Sequence, residues 1–203
     1  MGKKARVTGK ATVGEKAKVV GHAQVGGRAI IAGKSKVAGH SVVGDSVVVA
    51  GSAWVHGHAT ISDKARISDH AEVTGKAKVS GSAKVSGHAV VSGKARLSGK
   101  AEASGSAIVS GNAKLTDNAW VSGQADVSDD AVISGDAAVG GDAHVLDASH
   151  VITLTDPDNG TTWTAYRTKR GGRQIMKGRT LVEESEAPKE LLKATRKAWF
   201  SKD

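Results

Sequence analysis

The sequence predicts an all-β chain: a rod of about eight stacked triangular coils with one short strand per side, closed by a small module of β-hairpin and α-helix. Three observations carry this. An aliphatic residue returns every six positions from Val7 to Val151, which makes 25 hexads without a slip of register. Gly or Asp stands two residues after it and a small residue, usually Ala, four after it, as in VSGSAKVSGHAVVSGKARLSGKA. The chain is 39% hydrophobic but only 3% aromatic, with 26 glycines and two prolines, so its core has to be built from Val and Ala and its glycines have to serve a regular geometry.

Each element follows from that rhythm. Two inward positions per hexad, four and then two residues apart, fit short strands with alternating side chains, joined by a tight bend at the Gly or Asp site, where φ can turn positive at little cost. A helix would need a period of 3.6, which the series violates. Strands this short cannot bury a face alone, so hexads stack; three per lap make an eighteen-residue coil. At about 4.8 Å per strand, eight coils give a prism roughly 40 Å long. The aliphatic series lapses clearly at Ala103, and the small series early, at Ser35, Ser41 and Val47. After Val151 the period ends. VITLT, TTWTAYRT and RQIMKG then read as three strands divided by the turns DPDNG and KRGG. Pro188 suits the first turn of a helix whose Leu191, Leu192, Thr195, Ala198 and Trp199 share a face. Because an open coil end is an exposed edge, residues 152–203 are expected to cap or dock onto the repeat domain, residues 1–151.

V-x-G-x-A-x in unbroken series resembles the hexapeptide-repeat proteins over about residues 5–151. That resemblance implies a left-handed parallel β-helix. Within the group, an uninterrupted prism with a short tail is more similar to the YdcK-like bacterial and phage-borne proteins, whose function is not assigned, than to the trimeric acyltransferases. For the transferases the resemblance implies a homotrimer, acyl-CoA between neighbouring subunits, and a histidine base on the acceptor hydroxyl or amine, supported by loops that bulge from the coils. No insertion interrupts the register here, which argues for a non-catalytic scaffold that needs no cofactor. Were the chain an O- or N-acyltransferase, its cofactor would be CoA and its candidate base His56, in WVHGH. The outward apolar residues Trp54, Val90 and Ile108 share one side, broken by Glu72 and Asp126, and form the candidate trimer interface. A head-to-tail filament is the rival assembly.

Composition narrows the rest. Without cysteine there is no disulfide, thiolate zinc site or Cys nucleophile. No 18-residue apolar run occurs, and MGKKARVTGK is not followed by an apolar stretch, so no membrane segment or secretory address is expected. The expected location is the cytoplasm, that of the host for a phage-encoded chain. The net charge of +9 is segregated. Residues 1–100 hold 17 Lys/Arg against five acids, residues 101–150 hold Lys114 alone against eight, and the tail holds 11 against seven.

Stacking by eighteen places Lys4, His22, His40, His58, Lys76 and Lys94 in one file, ending in Asn112 and Asp130, with Arg6, Lys78, Arg96 and Lys114 on the adjoining face. Such a ladder fits an acidic protein, nucleic acid or another polyanion, or a small anion such as a nucleotide held between subunits. Protonation of the three imidazoles would strengthen binding below about pH 6.5. Because Trp54 and Trp120 fall on different faces, no base-stacking platform is predicted, and nucleic acid would be held by its backbone alone. The column His22, His40, His58 is also the one candidate for a metal.

Overall fold

The computed structural model describes residues 4–14 and 16–200. Each hexad from Arg6–Val7 to His144–Val145 supplies one two-residue strand. Every strand before the last coil pairs in parallel with the strand eighteen residues further on, Arg6 with Gln24, Thr60 with Lys78 and Asp126 with His144. Three eight-stranded parallel sheets result, the three faces of a prism of about eight coils, as the period predicts. We number the faces by the strands that open them: Arg6–Val7 the first, Thr12–Val13 the second, Lys18–Val19 the third.

In each strand the first residue points outward and the second inward. The inward aliphatic residues from Val25 to Val145 and the alanines between them form one continuous core, nearly all with no exposed surface. Ala103 is fully buried too, so its lapse shrinks a side chain without breaking the series. Ser35 and Ser41 are buried as well, and their hydroxyls donate to the carbonyls of Ala32 (2.7 Å) and Ala38 (2.8 Å). A polar atom in this Val/Ala core is thereby satisfied locally.

The corners explain the Gly/Asp alternation. Corner residues as different as Gly21 and Asp129 have φ of 72° and 51°, a region that glycine enters freely and aspartate tolerates. Aspartate adds a stitch between coils. Asp63 Oδ2 accepts the N–H of Gly81 at 2.8 Å, Asp69 that of Gly87 at 3.0 Å, and Asp117 that of Gly135 at 3.1 Å.

Coiling stops after Val145. Val151, the last aliphatic position of the series, opens an antiparallel sheet of Val151–Thr155, Thr162–Arg167, Arg173–Lys177 and Thr180–Val182. The fourth strand was not expected: three residues are too few to show an alternating pattern. Strand Thr162–Arg167 lies over the last coil, where Thr164 Oγ1 accepts the N–H of Ala138 at 3.1 Å and Tyr166 and Met176 complete the prism core. Helix Lys189–Trp199 turns Leu191 and Thr195 inward, while Ala198, expected on the same face, is exposed. Arg173 holds these pieces together. It makes two 2.7 Å hydrogen bonds to Glu184 and one of 2.6 Å to Thr195 Oγ1, and the bonds from Arg173 keep the Glu184 carboxyl below its ordinary range.

Tyr166 gives the junction a pH signature. Burial pushes its phenol up to about 12, opposed by the nearby Gly140 backbone and reinforced by the Asp142 carboxylate, and among the described residues its hydroxyl makes no hydrogen bond of good geometry. The neutral phenol's contribution is therefore intact below about pH 10 and is lost as pH rises towards 12. Denaturant unfolding at pH 8 and pH 11.5 should show the native chain losing about 2 kcal/mol more than Tyr166→Phe, which should cost little at pH 8.

Candidate anion-binding face

The corner between the third and first faces carries the predicted ladder. Its backbone is a continuous file, because the amides of His22, His40, His58, Lys76 and Lys94 each donate to a corner carbonyl one coil on, at 2.6–2.7 Å. The side chains follow. His22 and His40 have ring centroids 4.5 Å apart, with His22 Nδ1 3.2 Å from His40 Nε2, and His40 stacks on His58 at 5.0 Å with planes 9° apart. At the far end Asn112 donates to Asp130 at 3.0 Å, where the sign of the charge reverses.

Beside the ladder, the first face presents Arg6, Gln24, Val42, Thr60, Lys78, Arg96, Lys114 and Val132, with no carboxylate among them. Lys78 lies opposite Arg96, and Arg96 opposite Lys114. Like charges one strand apart repel. Acids on the other faces meet nearby bases: Glu72 bonds His56, Asp126 lies 3.8 Å from His144, and Glu102 accepts from Arg179 at 3.2 Å. Among the described residues, Lys4, Arg6, Lys76, Lys78, Lys94 and Arg96 make no ion pair at all. At the N-terminal end of this surface, Lys4, Arg6, His22, Gln24 and His40 line a groove of about 350 Å³.

His56 leaves the ladder for the third face. Its ring stacks on Trp54 at 3.9 Å, its Nε2 lies 2.9 Å from Glu72 Oε1, and its Nδ1 lies 3.1 Å from Thr74 Oγ1. With Nε2–H donated to the carboxylate, Nδ1 accepts from the Thr74 hydroxyl. Both nitrogens are occupied within the chain, so this imidazole could accept a substrate proton only by giving up Thr74. The spacing could have revealed the contact, since residue 74 stacks on residue 56. Lys36 Nζ also lies over the Trp54 ring, 5.3 Å from its centroid.

Trp54, Val90 and Ile108 do share the third face, with Glu72 between the first two and Asp126 beyond Ile108. Trp120, on the second face, is reached by Arg179 from the C-terminal module at 5.4 Å, a contact that no sequence periodicity announces. For a metal the ladder is poorly arranged. His40 and His58 stack face to face, so their in-plane lone pairs do not meet at one point, and His22 Nδ1 already faces His40 Nε2. Among the described residues no group of three His, Asp or Glu side chains is placed to hold a cation, and no helix is long and apolar enough to cross a membrane.

Compared with protein-family models and with curated proteins, the chain matches none.

Proposed function

We propose that the protein is a non-catalytic β-helical scaffold that engages a polyanion, or a strongly acidic partner, along its first face and the adjoining ladder corner. The observation that carries this is the alignment of Lys76, Lys78, Lys94, Arg96 and Lys114 on neighbouring coils, with no carboxylate on that face. Such an arrangement costs stability in the free protein, and a bound anion relieves it. The rigid prism keeps the cations in a fixed array about 5 Å apart along the axis, so the partner meets a surface already organised for it. Association through the third face, where Trp54 and Ile108 are 41% and 42% exposed, would form a homotrimer that leaves the first face open.

Binding to duplex DNA and to heparin, measured against salt concentration, tests the reading; a salt-independent affinity would sink it. The transferase alternative is separated by thermal shift. The 3′-dephospho form of acetyl-CoA, which keeps the acyl-pantetheine arm but has no phosphomonoester, is expected at saturating concentration to leave the melting temperature unchanged, whereas a ligand at a hundred times its Kd would add about 2.7 kcal/mol.

A further inference from the structure

We propose that the groove at the N-terminal end of the ladder is a proton-dependent site for a phosphomonoester group. The proposal deepens the polyanion reading and rests on it for its setting, but its residues are separate from the Lys76–Lys114 stretch. Lys4, Arg6, His22, Gln24 and His40 line one concavity of about 350 Å³. An ammonium, a guanidinium fork, an amide and two imidazoles converge there. That set exceeds what a two-oxygen, singly charged carboxylate can use, and it suits the three oxygens and two charges of a phosphomonoester.

Among the described residues, the flanking strands add no negative charge. The first-face strands of these coils present Arg6, Gln24 and Val42, and those of the third face Lys18, Lys36 and Trp54. His58 stacks on His40, and Glu72, one coil further on, is engaged by His56.

The imidazole pair supplies the proton dependence. His22 Nδ1 and His40 Nε2 are 3.2 Å apart, so with both rings neutral one proton lies between them. Whichever ring donates it, the two remaining nitrogens comprise one N–H and one lone pair. One added proton converts that lone pair to a second N–H and gives the pair a positive charge. The imidazole pair then presents two donors instead of one donor and one lone pair, beside the cations Lys4 and Arg6, and a bound dianion stabilises the added proton. Anion binding and proton uptake are therefore one event.

Titration calorimetry at pH 7.0 in two buffers of different ionisation enthalpy, with adenosine 5′-monophosphate and adenosine as probes, tests this. The monophosphate should bind with net proton uptake and adenosine should not bind. His22→Gln and His40→Gln, both at surface positions, should each remove the uptake and weaken binding at least tenfold at pH 6.5. Lys78→Ser with Arg96→Ser should leave monophosphate binding unchanged, which separates this site from the main cationic stretch. A 5′-phosphorylated decanucleotide binding more tightly than its 5′-hydroxyl counterpart would identify strand ends as the source of the phosphate, and equal binding would identify free nucleotide. Equal affinity for monophosphate and adenosine, or binding without proton exchange, overturns the proposal even if DNA binding along the first face stands.

Discussion

Replacing Lys76, Lys78, Lys94 and Arg96 together by serine is expected to lower affinity for duplex DNA by roughly a thousandfold at 0.1 M salt. The size follows from counterion release. Each phosphate neutralised contributes a slope of about −0.9 in log K against log salt, so four lost contacts flatten the slope by about 3.6. The fold should survive, because all four side chains are exposed and none makes an ion pair with a described residue. Relief of the repulsion between Lys78 and its neighbour Arg96 should raise the melting temperature slightly. A control that replaces Lys84 and Arg66, outward on the second face, should leave the slope nearly unchanged. Equal losses per cation removed from the two sets would reduce the binding to net charge and end the case for a specific face.

The largest structural effect is expected at a corner. Gly93 has φ of 64°, and a Cβ there would lie 2.8 Å from the backbone N and O of Gly111 in the next coil. Gly93→Val combines a left-handed backbone, costly for a β-branched residue, with a clash against another coil, and should destabilise by about 3 kcal/mol, a fall of about 10 °C in melting temperature. Gly93→Asp introduces the same Cβ but should cost less than half as much. Native Asp63, Asp69 and Asp117 show that a corner accepts this side chain and turns it into a bond across coils. Thermal melts of the two variants decide the matter: equal losses would mean that crowding alone governs these corners and that the aspartate bond contributes nothing.

The prism was legible because its construction is strictly local and repeated. Six residues fix a strand and a bend, three hexads fix a lap, and the stacked file from His22 to His58 follows by counting. Winding hand is a different matter: mirror-image coils share strand order and register, so the period is silent on it and only the family resemblance speaks. Past Val145 legibility falls for a physical reason. The C-terminal sheet and helix are held by contacts between residues far apart in sequence, such as Arg173 with Glu184 and Thr195, or Arg179 with Glu102. Neither the strand Thr180–Val182 nor the exposure of Ala198 can be read from a local pattern. At the candidate site, the alignment of cations was readable, but the concavity at Lys4 and the partners of His56 depend on side-chain directions that spacing does not specify.

Among the described residues, only the C-terminal end of the rod carries a plug. Tyr166 and Met176 plug the final lap, whereas Val7 and Val13 of the first remain 47% and 36% exposed. Its loosening should thus have a direction, with amide exchange fastest in the opening lap and slowing towards the plug. An anion seated among Lys4, Arg6, His22, Gln24 and His40 would span the first three laps like a clip, so occupancy of the groove would register as slower exchange at the end of the rod that otherwise unwinds first.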